Sequence, residues 1–290
     1  MFQRIKHYLS LIKFSHTIFA LPFALIGFTL GVNDMSDNIE ANFSLLFIEV
    51  LLCMVFARSA AMSFNRWLDR RFDALNPRTA QREIPAGVIK SDSALIFVII
   101  NSVLFIATTW FINPLCFYLS FVALFVILFY SYTKRFTALC HLVLGVGLAL
   151  APIGAYIAVT GVFHLVPVLF AFSVFTWVAG FDIIYALQDE EFDRTQKLHS
   201  IPAALGKQNA LLVSTLLHIA SAAFIISAGA VGHLSWVYWI GAAFYCSMLV
   251  YQHILVKPND LSKVNIAFAN TNGLASVIFA TCTIISILIA

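Results

Sequence analysis

The chain has 290 residues, 61% of them apolar and only 11% charged, with a formal net charge of +3. Soluble domains average about 45–50% apolar and about 25% charged, so this composition excludes a water-soluble globule, and 28 phenylalanines exclude a disordered chain. The net charge is too small to call for a nucleic-acid partner; an integral membrane protein, almost wholly inside the bilayer, remains.

A helix needs about 20 mostly apolar residues to cross a bilayer. Nine stretches qualify, in chain order 14–32, 43–64, 94–112, 115–133, 138–160, 165–184, 210–230, 234–255 and 264–289. They are continuous rather than alternating, which argues against a β-barrel. The basic N-terminus and the run behind it resemble a signal peptide, but the run is too long and lacks a small-residue cleavage site, so it reads as the first membrane helix. His16, near its start, reads as structural or interfacial. Pro22 and Pro152 fall inside predicted helices and are expected to kink them. Gly27 and Gly31 form a G-x-x-x-G, a spacing that permits close helix packing. Cys53, Cys116, Cys140, Cys246 and Cys282 stand singly in apolar runs and read as packing thiols. Two long polar connections, near 65–93 and 185–209, interrupt the pattern, and no soluble domain fits anywhere, so residues 1–290 form one transmembrane domain.

Under a nine-helix count the Lys and Arg residues of the N-terminal arm (Arg4, Lys6, Lys13) and of alternate connections all fall on one side. The opposite connections hold no Lys or Arg, and one of them carries Asp34, Asp37 and Glu40. That asymmetry places the N-terminus in the cytoplasm of a multi-pass protein, expected in a bacterial inner membrane.

Carboxylates near a membrane helix are costly and usually serve a purpose. Asn65, Asp69 and Asp73 stand four apart, which on a helix puts them on one face, with a rise of ~6 Å per step. Arg58, seven residues before Asn65, lies on nearly the same face and deeper. Asp182, Asp189 and Asp193 repeat this seven-then-four spacing. Rows of carboxylates repel one another unless something positive sits between them. Magnesium suits them, being held by one or two carboxylates together with phosphate oxygens and water. Arg78, Arg82, Lys134, Arg135 and Lys197 lie in or beside the same layer and point to a phosphate ligand. Glu190, Glu191, Arg70 and Arg71 read instead as a solvated surface with scattered ion pairs.

The N-x-x-x-D-x-x-x-D row followed by R-T-x-x-R, the later D-x-x-Y-A-x-x-D-x-x-x-D, and Tyr130 with Lys134 as Y-x-x-x-K together resemble the UbiA superfamily of intramembrane aromatic prenyltransferases. The resemblance covers essentially the whole chain. It implies an all-α bundle of nine transmembrane helices with a central cavity open to the cytoplasmic side, and two Mg2+ ions bridging a polyprenyl diphosphate. Carried over by position, Asn65, Asp69 and Asp73 would hold one ion and Asp189 and Asp193 the other. Arg82, Lys134, Arg135, Tyr130 and Lys197 would bind substrate. Asp182, Arg58 and Tyr185 are the candidate catalytic residues, with Asp182 near the acceptor. Trp67 and Tyr185 are candidates for lining the cavity, and His199 for reaching the diphosphate. Many members have Asp after the motif Asn, where this chain has Arg66. The stretches ARSAAMSFNR and KLHSIPAALG look more like a subgroup tied to menaquinone synthesis by the futalosine route.

The implied reaction is Mg2+-dependent electrophilic prenylation of a hydroxylated aromatic acid in quinone biosynthesis, of the 4-hydroxybenzoate type, with 1,4-dihydroxy-6-naphthoate as the alternative acceptor. Partners would be the diphosphate, the aromatic acceptor and the bilayer, with no obligatory protein partner evident. An ion-coupled transporter is the rival from another class, since intramembrane carboxylates also carry protons or sodium. Against it, the acids cluster at one face.

Overall fold

In a computed structural model, residues 2–12, 19–35 and 42–289 are described, and their regular structure is helical, with no strand among them. The expected start of the first membrane helix, with Lys13 and His16, and the acidic Asp37 and Glu40 lie outside these residues. A short helix α1 (Phe2–Leu11) is followed by α2 (Leu21–Asp34), α3 (Phe43–Leu75), α4 (Ser91–Ile112), α5 (Pro114–Thr133), α6 (Cys140–Thr160) and α7 (Leu165–Ala186). A 3₁₀ turn (Leu187–Asp189) leads into α8 (Glu190–Thr195), then α9 (Ile201–Val231), α10 (Trp236–Leu255), a π-turn (Ile266–Thr271) and α11 (Asn272–Leu288).

Each of the nine predicted stretches holds a helix. Seven helical segments among the described residues are long and apolar enough to cross a membrane. Of the other two, α2 has only 14 residues, and α10 is long enough but diluted by Tyr238, Tyr245, Tyr251, Gln252 and His253. For these two, nine crossings rest on the charge pattern alone.

The centre of the bundle is α7, which packs against α6 and α9 and buries Phe170, Val174, Trp177 and Val178 completely. Around it α2 lies on α6, α11 on α10 and α2, and α3 on α4 and α5. The outer faces of α4 and α5 expose Ile96, Ile99, Val103, Phe121 and Phe125, as lipid-facing helices do. Close approach of α2 and α6 depends on the predicted glycine pair: a Cβ on Gly27 would stand 2.1 Å from the Pro152 carbonyl oxygen, and one on Gly31 would stand 2.8 Å from Val159. Pro152 sits inside α6 as expected. Pro22 does not kink a helix; it occupies the first turn of α2, where its missing N–H has no intrahelical partner to lose. All five cysteines are free thiols.

Two local features position the site. The 33 residues of α3 make a rod of about 50 Å, well beyond the roughly 20 residues a bilayer needs. Its last turns, with Asn65, Asp69 and Asp73, therefore extend to the end of the bundle. The second acidic row is not on one continuous α-helix as the spacing predicts. Asp182 lies on α7, Asp189 ends the 3₁₀ turn and Asp193 is on α8. Such tightened turns are frequent where helices end, and this one alters the angular offset between Asp182 and Asp189 without removing either from the site.

Candidate active site

Where α3, α5, α6, α7 and α8 end or begin together, they enclose a polar cavity of about 220 Å³. Five carboxylates line it: Asp69 and Asp73 from α3, Asp182 from α7, Asp189 from the 3₁₀ turn and Asp193 from α8. Four cations line it too: Arg78 and Arg82 from the loop after α3, and Lys134 and Arg135 at the end of α5. Every carboxylate meets a basic side chain. Arg82 reaches Asp73 at 2.7 Å, Arg135 reaches Asp69 at 2.9 Å, Lys134 reaches Asp193 at 2.7 Å, and Arg78 pairs with Asp189. Asp182 Oδ2 lies 2.7 Å from His141 Nδ1.

Further hydrogen bonds order these groups. Asn65 donates to Asp69 Oδ2 at 3.2 Å, one helical turn away. Asn76, the residue that caps α3, donates to Asp189 Oδ1 at 3.0 Å and so ties the first acidic segment to the second. Arg78 Nε donates to the same oxygen at 3.0 Å, its Nη1 donates to the Tyr185 hydroxyl at 3.0 Å, and its guanidinium stands 5.3 Å from the centre of the Tyr185 ring. Burial works against the charge on Lys134, but Asp193 outweighs it, and the ammonium's pKa is raised. Arg78 is raised in the same way: burial opposes its charge and its hydrogen bonds to Asp189 overcome that. Asp73 is buried, and its Oδ2 has no hydrogen-bond partner among the described residues. An anionic oxygen hidden from water without a partner is costly, so this one is available to a cation.

Deeper in the bundle is a second cavity of about 370 Å³ between α3, α4, α5 and α6. Its walls are almost wholly apolar, and Arg58 is the one charged side chain among the described residues that line it. Tyr130 and Leu144 line both cavities and mark their junction.

The structure thus brings together Asn65, Asp69, Asp73, Arg82, Tyr130, Lys134, Arg135, Asp182, Tyr185, Asp189 and Asp193 around the polar cavity, and sets Arg58 in the apolar one. It does not bring Lys197 there. That residue is exposed, with a left-handed backbone of φ 54°. Leu198 N donates to Asp193 O at 2.8 Å and Lys197 N donates to Arg194 O at 3.3 Å, a pattern that closes a helix around a left-handed residue. Lys197 thus ends α8 and does not line the cavity. The His199 side chain is exposed as well, while its N–H donates to Lys134 O at 2.7 Å. Trp67 lies two residues from Asn65, about 200° around the helix, and packs with Leu11 and Ile89 away from the cavity.

Sequence reasoning missed His141 and Asn76. His141 stands alone in an apolar run; its signal is its place in the first turn of α6, a few residues after Lys134 and Arg135. Asn76 lies beyond the regular four-residue row, with only its place before Pro77 to mark a helix end.

A model of the UbiA prenyltransferase family matches residues 20–277 of this chain. The chain is 29% identical over 239 residues to a 4-hydroxybenzoate octaprenyltransferase of Tolumonas auensis, covering 82% of this chain and 83% of that one. It is 30% identical over 233 residues to a protein of the same name from Pseudoalteromonas translucida, covering 79% of each. Among solved structures it resembles the apo structure of a UbiA homologue from Aeropyrum pernix, with a TM-score of 0.78, 28% identity, and coverage of 94% of this chain and 97% of that one. It also has the fold of a UbiA homologue from Archaeoglobus fulgidus bound to DMAPP and Mg2+, with a TM-score of 0.76 at 18% identity, covering 98% and 99%.

Proposed function

The chain belongs to the UbiA prenyltransferase family, and from that premise we propose that it prenylates a hydroxylated aromatic acid of the 4-hydroxybenzoate type. The donor is a polyprenyl diphosphate, the metal is Mg2+, and the site opens to the cytoplasm of a bacterial inner membrane. The observation that carries this reading is a polar cavity of interleaved carboxylates and cations joined at Tyr130 to an apolar cavity with a single charge, Arg58. Family membership leaves the transporter reading without support.

The donor set fits Mg2+. It consists of hard oxygens, and Asp73 Oδ2 is buried without a hydrogen bond. No group of three or more His, Cys, Asp or Glu among the described residues is disposed to hold a metal alone. Mg2+ commonly takes one or two carboxylates and completes its shell with phosphate oxygens and water. Charge agrees as well: five carboxylates share the cavity with four Arg and Lys side chains, and divalent ions would offset the negative charge that a diphosphate ester adds. Asn65, Asp69 and Asp73 would hold one ion, and Asp189 and Asp193 the other. When bound, the metal draws charge onto the leaving diphosphate and eases ionisation of the allylic C–O bond.

Arg78, Arg82, Lys134 and Arg135 now pair with carboxylates and would exchange them for phosphate oxygens, charge-assisted bonds of the same kind. Tyr130 stands where the reactive carbon would pass from the polar to the apolar side. The apolar walls exclude the water that would trap an allylic cation, and the faces of Tyr130 and Tyr185 can stabilise positive charge. Arg58 would receive the acceptor's carboxylate, and the remainder of a long tail would lie in lipid.

The motif stretches ARSAAMSFNR and KLHSIPAALG favour a second acceptor, 1,4-dihydroxy-6-naphthoate, for which the same geometry serves. Membranes containing the protein, Mg2+, labelled polyprenyl diphosphate and each acceptor in turn test both readings. Product with 4-hydroxybenzoate supports the first, product only with the naphthoate supports the second, and product with neither overturns both.

A further inference from the structure

We propose that Asp182 removes the ring proton of the acceptor and that His141 is the positioning residue that orients Asp182 and links it to the diphosphate end of the site. The proposal deepens the prenyltransferase reading above and rests on it.

His141 is 3% exposed and makes two hydrogen bonds with opposite demands. The backbone N–H of Ile201 donates to its Nε2 at 3.3 Å. A backbone amide only donates, so Nε2 must offer its lone pair, and the ring proton resides on Nδ1. From there it donates to Asp182 Oδ2 at 2.7 Å. These two contacts fix the ring so that Nδ1 faces Asp182, and taking a proton at Nε2 would break its bond to Ile201. Asp182 is different. Its side chain is 24% exposed to the cavity, and its Oδ1 has no hydrogen-bond partner among the described residues. It also stands apart from the pairs that bind Asp69, Asp73, Asp189 and Asp193 to Arg or Lys, being the one carboxylate among the described cavity residues held by a histidine instead.

The same contacts reach the other end of the site. Ser200 Oγ donates to Asp193 Oδ2 at 2.8 Å and accepts from Ala203 N at 3.3 Å as the cap of α9. Ile201, which fixes His141, is the next residue. The carboxylate placed at the diphosphate and the imidazole that orients the base are therefore one hydrogen bond and one peptide bond removed from a common point.

The step balances. A ring carbon ortho to the acceptor hydroxyl bonds to the allylic carbon, and the C–O bond breaks with its electron pair leaving on the diphosphate. The C–H pair then returns to the ring, and the proton passes to Asp182 Oδ1, from which water in the cavity collects it.

The test uses acceptor deuterated at the positions ortho to its hydroxyl, with the full-length protein and Mg2+, for the wild type, Asp182→Asn, His141→Leu and His141→Asn. Calorimetric binding of the polyprenyl diphosphate confirms that each variant is folded. Asp182→Asn should lose about 10²–10⁴-fold in kcat. His141→Leu should lose more than about tenfold in kcat while the KM for the diphosphate stays within about twofold, and a primary deuterium isotope effect absent from the wild type should appear. His141→Asn keeps a donor where Nδ1 stood and should recover part of the rate and reduce the isotope effect. The double variant with Asp182→Asn should be no slower than Asp182→Asn alone. A His141→Leu loss confined to KM, or one without an isotope effect, overturns the positioning role, and wild-type turnover in Asp182→Asn overturns the base. If His141→Leu does not fold, Asp182→Asn and His141→Asn still decide. Wild-type failure on both acceptors refutes the prenyltransferase reading itself and is told apart because it precedes any variant.

Discussion

Asp69 and Asp189 illustrate how single residues serve two states of charge. Each is held by an arginine, Arg135 and Arg78 respectively, and under the proposed function each would offer oxygens to a cation when that arginine turns to phosphate. Replacing either by alanine removes the proposed metal ligand and leaves a half-buried arginine without its carboxylate. Prenyl transfer should fall by about 10²-fold or more in each variant, with the protein still recovered from membranes; normal turnover in both would end the metal assignment. Arg58 makes a different prediction, because among the described residues it is the one charge in an apolar wall. A charge-assisted bond from such a site is worth roughly 1.5–3 kcal/mol, so Arg58→Leu should raise the acceptor KM about 10- to 100-fold with the diphosphate KM unchanged. The four-residue row from Asn65 was legible because one helix carries it and period alone decides its face. His141 was not, because its partner Asp182 is 41 residues away and only packing of α6 on α7 joins them.

At the scale of elements, two contacts expose how helices are placed. Gly27 lets α2 approach the Pro152 carbonyl, which a Cβ would meet at 2.1 Å. Backbone cannot yield as a side chain does, so Gly27→Val should cost about 1–3 kcal/mol and lower the unfolding midpoint in detergent. Lys197 closes α8 in a left-handed conformation that L residues other than Gly and Asn avoid. Lys197→Gly should therefore leave the unfolding midpoint unchanged or raised, and steady-state kinetics should show transfer unaffected, whereas a residue that touched substrate would lose rate. The membrane helices themselves were readable from hydropathy, since lipid rewards long apolar runs whatever their neighbours. The break between α7 and α8 was not, since the acidic spacing continues through it unchanged and only the local backbone records the 3₁₀ turn.

For the whole molecule, five carboxylates crowd one polar cavity, and such a set of hard oxygens suits a site completed by metal and substrate together. Chelation by EDTA should stop turnover and added Mg2+ restore it, and Mg2+ with polyprenyl diphosphate should raise the unfolding temperature more than either alone; an EDTA-indifferent enzyme would contradict the assignment. The amino-acid sequence by itself determined that the chain is a helical membrane protein, where its helices run, and that two acidic rows with adjacent cations form a site, because hydropathy and helical period act over neighbouring residues. Tertiary structure alone decided which cation meets which carboxylate, that Arg58 belongs to the apolar cavity and Lys197 to neither, and that His141 meets Asp182. Those choices depend on the rotation and depth of one helix against another, which hundreds of apolar contacts settle together and no local pattern encodes.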